Sequence, residues 1–131
     1  MKIKRKSVEQ GLVFDEFRKE YLNIDKKSRH YDLCVIGSDE VFNCLNSGAW
    51  GFTSQLFGNV AEANKVIAYA ASCGSTKYEE LPEKVAEKIR KTFENVSAFS
   101  VRDENTHKFV GKLTDKSIND NLDPVLIYNF D

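Results

Sequence analysis

The stretch Tyr31-Asp32-Leu33-Cys34-Val35-Ile36-Gly37-Ser38-Asp39 constrains this chain more than any other part of it. Four apolar residues without polar alternation predict a strand over 33–36 buried on both faces, as in a parallel sheet covered by helices. The run stops abruptly at Gly-Ser-Asp. Open sheets of this kind bind ligands beyond the carboxyl ends of their strands. Gly37 lets the backbone turn sharply or approach a ligand, Ser38 can donate or accept a hydrogen bond, and Asp39 brings a carboxylate to that edge. The feature therefore predicts a site as well as a fold.

A second apolar run, 65–72, ends at Cys73-Gly74-Ser75 in the same manner, with small polar residues at a strand exit. From Leu81 the period changes. Pro82 suits a first helical turn, and Val85, Ala86, Ile89, Phe93 and Val96 fall on one face, opposite Glu83, Lys84, Glu87, Lys88 and Lys91. A third strand is expected over 98–101 and a short helix over 104–110. The segment 117–122 is too polar to assign, and Asp123-Pro124 terminates it. Upstream, Val13, Phe17 and Tyr21 recur at helical spacing among charged residues, which predicts an amphipathic helix in the first twenty residues. Residues 43–58, rich in Gly, Asn and aromatics, read as a loop with short helical turns.

Composition excludes several classes. A length of 131 residues suits one domain, and 41 % hydrophobic with 30 % charged residues is a normal globular balance. The net charge is -1, and the basic start Lys2, Lys4, Arg5, Lys6 continues into no stripe, so nucleic acid is not an expected partner. No segment reads as a signal peptide or approaches the roughly 20 apolar residues of a membrane span, so a cytoplasmic location is expected. Cys34, Cys44 and Cys73 are odd in number, widely spaced and accompanied by two histidines, which favours reduced free thiols over a disulfide or a metal site.

The order of elements predicts an α/β fold: a Rossmann-like, doubly wound, mostly parallel sheet of about four strands. Complete domains of this class carry more strands, and the chain opens with a helix where a first strand would stand. A partial domain of a larger protein is the expectation.

At this point the residues carry a resemblance. Tyr31-Asp32, Val35-Ile36-Gly37-Ser38-Asp39, Asn43, Ile67-Ala68-Tyr69-Ala70-Ala71-Ser72-Cys73-Gly74, Ser100-Val101-Arg102-Asp103 and Leu122-Asp123-Pro124 follow one another as in the polysaccharide pyruvyl transferase family. The resemblance covers the core at about 12–128 and departs from the family pattern at Glu40 and Phe42, where Gln and Trp are usual, and at Cys73, where Phe is frequent. It implies that residues 1–131 are a partial amino-terminal Rossmann-like domain. This domain would be one half of a two-domain architecture like that of the two-domain glycosyltransferases, lacking its carboxyl-terminal domain and inactive alone. It further implies transfer of a pyruvyl group from phosphoenolpyruvate to sugar hydroxyls of a cell-surface polysaccharide, with phosphate released. Phosphoenolpyruvate is then a donor substrate, a saccharide is the acceptor, and no cofactor or metal is required.

The residues can be weighed against that chemistry. A trianionic donor needs fixed positive charge, and a guanidinium binds carboxylate or phosphate through two parallel hydrogen bonds, which makes Arg102 the first candidate. Asp39 is the candidate carboxylate, either to stabilise a cationic centre, to accept a proton from the acceptor hydroxyl, or to hydrogen-bond it. Gly37, Ser38, Asn43, Ser72 and Gly74 are the candidate substrate-binding residues. Each has a plainer reading. Arg102 could pair with Asp103, Glu104 or another acid; Asp39 could cap a short helix starting near Glu40; and the Gly37-Ser38 and Ser72-Cys73-Gly74 exits could be tight turns alone.

His107 reads as a solvated or edge-packed residue, His30 lies at the far end of its strand, and Cys73 reads as a small buried residue. Trp50, Phe52 and Phe57 read as packing. Two other classes stay open: a nucleotide-sugar-dependent glycosyltransferase-like binder, and a non-catalytic interaction module that forms a homodimer through an exposed sheet edge. A dinucleotide oxidoreductase is disfavoured, because no Gly-x-Gly-x-x-Gly follows any strand.

Overall fold

The computed structural model describes residues 29–45 and 52–128. Four strands, β1 (Tyr31–Ile36), β2 (Ala63–Ala71), β3 (Val96–Val101) and β4 (Ile118–Asp120), form one sheet in the order β1-β2-β3-β4, every pair parallel. Parallel neighbours need long crossovers. Here a 3₁₀ turn at Ser54–Phe57 lies between β1 and β2, helix α1 (Glu83–Phe93) between β2 and β3, and helix α2 (Glu104–Gly111) between β3 and β4. This is an α/β, Rossmann-like arrangement. The amphipathic pattern at Val13, Phe17 and Tyr21, and Trp50, lie outside the described residues.

One face of the sheet carries the core. Ile36, Val66, Ala68, Phe99 and Val101 pack against Phe42 and Phe57 from the first crossover, Ala86, Ile89 and Phe93 from α1, and Phe109 and Val110 from α2. Four phenylalanines tie these layers together. Ring centroids lie 5.1 Å apart for Phe42–Phe57, 5.4 Å for Phe42–Phe93 and 4.8 Å for Phe93–Phe99, and all four rings are fully buried. Burial of each is worth about 1.5–3 kcal/mol before the pair geometry adds its share. The plain packing reading of Phe57 therefore holds, with the Phe52 ring tilted against it at a centroid distance of 5.2 Å.

The opposite face is uncovered among the described residues. Tyr31, Leu33 and Val35 are 54 %, 47 % and 52 % exposed. The expectation that this first strand is buried on both faces is corrected accordingly. Its continuous apolar run arises because Cys34 and Ile36 point to the helix layer while Leu33 and Val35 point away from it, β1 being the edge strand.

The strands start earlier than expected, at Tyr31, Ala63 and Val96, because Tyr31 already pairs with Ala63 and Val66 with Val96 in the ladder. Val96 was expected on the helix face but belongs to β3. The helix stops first: Asn95 N–H donates to the Thr92 carbonyl, and the Lys116 ammonium takes the carbonyls of Phe93, Glu94 and Val96 at 3.0, 2.8 and 2.6 Å. A cation over the last carbonyls suits the negative end of the helix dipole. The segment 117–122, left unassigned by pattern, supplies β4, whose Phe99–Ile118, Ser100–Asn119 and Val101–Asp120 register completes the sheet.

Candidate active site

Beyond Ile36 the backbone turns through Gly37, at φ +141°, and a cis Gly37–Ser38 peptide. Residues 38–42 form bends and turns, so no helix begins at Glu40 and the expected helix-capping role of Asp39 is corrected. The Asp39 carboxylate instead accepts from its neighbour's N–H, that of Glu40, at 2.8 Å, while its carbonyl accepts from Ser72 N–H at 3.1 Å. Together with the bond from Phe42 N–H to the Ser72 carbonyl, at 2.9 Å, this stitches the exit of β1 to the exit of β2.

Arg102 follows β3 directly. Its N–H donates to the Ala71 carbonyl at 3.2 Å, and its side chain reaches two carboxylates: Nη1 pairs closely with Asp123 Oδ2, and Nη2 stands 3.4 Å from Asp39 Oδ1. The partners expected from proximity, Asp103 and Glu104, are not the ones used. Glu104 pairs with Lys108 one helical turn on, and Asp103 caps α2 by accepting from Thr106 N–H at 2.8 Å. One guanidinium thus joins the segments that follow β1, β3 and β4 at the carboxyl edge of the sheet.

The exit of β2 is a second polar cluster. Ser72 Oγ accepts from Gly74 N–H at 3.0 Å, and its hydroxyl also helps to lower the Asp103 carboxyl. Burial works to raise the Asp103 carboxyl, but the Thr106 N–H, the Ser72 and Thr106 hydroxyls and the Arg102 charge outweigh it and hold it below the usual carboxylate range. Asn43 is buried, donating to Glu40 Oε2 at 2.7 Å and accepting from Thr76 Oγ1 at 2.6 Å. Gly74, at φ +56°, leaves room for both partners, since a Cβ there would stand 2.5 Å from Glu40 Oε2 and 2.8 Å from Asn43 Nδ2. Asn105 Nδ2 ties this loop to α2 through the Gly74 and Thr76 carbonyls, at 2.9 and 3.0 Å.

The chemistry available at this edge is hydrogen bonding and charge. Cys73 is fully buried, and burial pushes its thiol up to about 11, against a lowering contribution from the Thr106 hydroxyl, so it is no thiolate nucleophile near neutrality. All three cysteines are free. Among the described residues no group of three or more His, Cys, Asp or Glu side chains is placed to hold a metal ion, and no helix is long and apolar enough to cross a membrane. His107 pairs with Asp120 at 2.8 Å between α2 and β4, and His30 with Asn64 at 2.6 Å at the other end of the sheet. A cleft of about 370 Å³, lined by residues including Asn59, Asn64 and Asn95, also lies at that amino-terminal end, away from Arg102.

A family model described as polysaccharide pyruvyl transferase matches residues 2–129, nearly the whole chain. The chain belongs to that family. No curated protein and no solved structure matches it.

As a pyruvyl transferase family member, the chain brings Gly37, Ser38, Asp39, Ser72 and Arg102 to one sheet edge, while Asn43 and Gly74 are engaged in the loop beneath it. Asp123 is the residue that sequence reasoning passed over. By pattern it terminates the last element, yet it holds Arg102 most closely, and its other oxygen accepts from Val125 N–H at 3.1 Å. The signal was its place in the last family motif, Leu122-Asp123-Pro124. A carboxylate there has a polar partner to find across the edge.

Proposed function

We propose that this chain contributes to transfer of a pyruvyl group from phosphoenolpyruvate to sugar hydroxyls of a polysaccharide, with Arg102 binding the anionic donor and Asp39 serving the acceptor. Family membership supports the transferase class. The observation that carries the residue assignment is the position of Arg102, at a strand's carboxyl end and 3.4 Å from an Asp39 side chain that is itself 91 % exposed.

In the proposed reaction a proton is delivered to carbon 3 of the donor and a sugar hydroxyl oxygen bonds to carbon 2, giving up its proton. A second hydroxyl oxygen then bonds to carbon 2 as the bond from carbon 2 to the phosphate oxygen breaks, and phosphate leaves with the second hydroxyl proton. A ketal and inorganic phosphate result, and no oxidant or reductant is consumed. The guanidinium suits the carboxylate or phosphate of the donor, and a nearby carboxylate suits a hydroxyl that is losing its proton or a cationic carbon 2. One guanidinium does not balance a trianion, and Asp39, Asp103 and Asp123 surround it. The rest of the positive charge comes from groups beyond these residues, so the isolated chain binds the donor weakly and does not turn it over.

Chemical-shift mapping of the labelled chain with phosphoenolpyruvate tests the reading. Perturbations at 37–39 and at Arg102, with an affinity on the order of millimolar, are expected to vanish in Arg102→Ala. A response to a nucleotide-sugar in place of phosphoenolpyruvate would overturn it in favour of a glycosyltransferase-like binder.

A further inference from the structure

The two carboxylates on Arg102 are held very differently. Asp123 is fixed at both oxygens, one on the guanidinium and one on Val125 N–H, at the start of a 3₁₀ turn whose first residue is Pro124. Its side chain is 28 % exposed. Asp39 sits in solvent, and its contact with Nη2 is at the long limit of a hydrogen bond, shared with the shorter bond from Glu40 N–H. An exposed ion pair of that length contributes little. The Arg102 backbone is anchored between β3 and the cap of α2, and when Asp39 leaves, the close pair with Asp123 still holds the guanidinium.

We propose that Asp39 is the resident counter-ion of Arg102, displaced when the anionic donor binds, and that Asp123 is the positioning residue that keeps the guanidinium aimed through the exchange. This rests on the reading of Arg102 as the donor-binding group. A donor carboxylate or phosphate occupies the guanidinium edge that Asp39 covers. The released Asp39 carboxylate then stands beside the donor, available to a sugar hydroxyl only once there is something for that hydroxyl to attack. Donor before acceptor is the binding order that follows.

The test is titration of the full chain, wild type and variants, with phosphoenolpyruvate and separately with inorganic phosphate, following backbone amides and the Arg102 Nε–H resonance by nuclear magnetic resonance. Asp39→Asn removes the competing charge and is expected to tighten both ligands roughly three- to tenfold. Asp123→Asn keeps the shape and the capping oxygen but loses the charge. It is expected to weaken both ligands by about tenfold and to broaden or shift the Arg102 Nε–H signal, which loss of general stability alone would not do. Arg102-dependent binding that Asp39→Asn leaves unchanged or weakens would overturn the counter-ion role while sparing the donor assignment. Absence of Arg102-dependent binding in the wild type and in Asp39→Asn alike would overturn the donor assignment, and this inference with it. Should Asp123→Asn fail to fold, the sign of the Asp39→Asn effect decides alone.

Discussion

The α-carbon of Gly37 lies directly against the main-chain carbonyl of Tyr69, so closely that a Cβ at this position would overlap the carbonyl oxygen. The backbone at Gly37, φ +141°, is one that side chains rarely adopt, and the obstructing atom is backbone of a central strand that cannot swing aside. Gly37→Ala is therefore expected to cost more than about 3 kcal/mol. Gly74→Ala meets the ends of the Glu40 and Asn43 side chains, and the exposed Glu40 can move, so a cost nearer 1–2 kcal/mol is expected. Urea midpoints of the two variants check the ranking, and equal midpoints would contradict it.

One residue beyond Tyr69, the register of β2 against β3 slips. Ala68 pairs with Phe99 and Ala71 with Val101, so three steps on one strand match two on the other, and Ala70 takes a left-handed φ of +46°. Ser100 makes this bulge tolerable, because its Oγ accepts from the Ala70 N–H at 3.1 Å in a buried setting. Ser100→Ala leaves that N–H unpaired and is expected to cost about 1–3 kcal/mol, read from thermal or denaturant unfolding. A neutral outcome would mean that the bulge finds another acceptor.

Cys73 gives a pH-dependent prediction. Its folded-state pKa, raised to about 11 chiefly by burial, lies above the ordinary thiol value of 9.0. The resulting stability is fully present below about pH 9 and is lost as pH rises toward 11, because the unfolded chain ionises first. Cys73→Ser or Cys73→Ala is expected to flatten the alkaline limb of the stability profile. Pulsed alkylation with mass spectrometry should label the partly exposed Cys34 ahead of the buried Cys44 and Cys73. Rapid labelling of native Cys73 would contradict its placement.

Much of this architecture was legible from local pattern. The runs ending at Ile36 and Ser72, the face Val85, Ala86, Ile89, Phe93, and the succession of motifs pointed to a parallel α/β sheet with polar strand exits, since apolar periodicity reports directly on which residues leave water. The fourth strand was expected from the order of elements but could not be placed by pattern, because Ile118, Asn119 and Asp120 are held by backbone pairing with Phe99, Ser100 and Val101 rather than by a hydrophobic pattern of their own. The exposed face of β1 was hidden for the opposite reason: apolar composition does not say which layer is present to cover it.

The candidate site was readable to the level of residue types and their sheet edge. Partner choice was not. Arg102 has Asp103 and Glu104 next to it in sequence and forms an ion pair with neither, because one caps a helix and the other faces Lys108 along it. Its partners, Asp123 and Asp39, are 21 and 63 positions away and become neighbours only when the sheet has formed.

The strand order has a consequence for how the chain is made. Each strand pairs with the one synthesised immediately before it: Tyr31 meets Ala63, Val66 meets Val96, and Phe99 meets Ile118. Among the described residues no strand waits for a distant partner to be inserted between it and its predecessor. Loops of this length close at modest entropic cost, and the apolar residues of each crossover find the growing edge as they emerge. Among the described residues the sheet can assemble in the direction of translation, one strand and one crossover at a time, and Arg102 acquires its Asp123 partner only with the last addition.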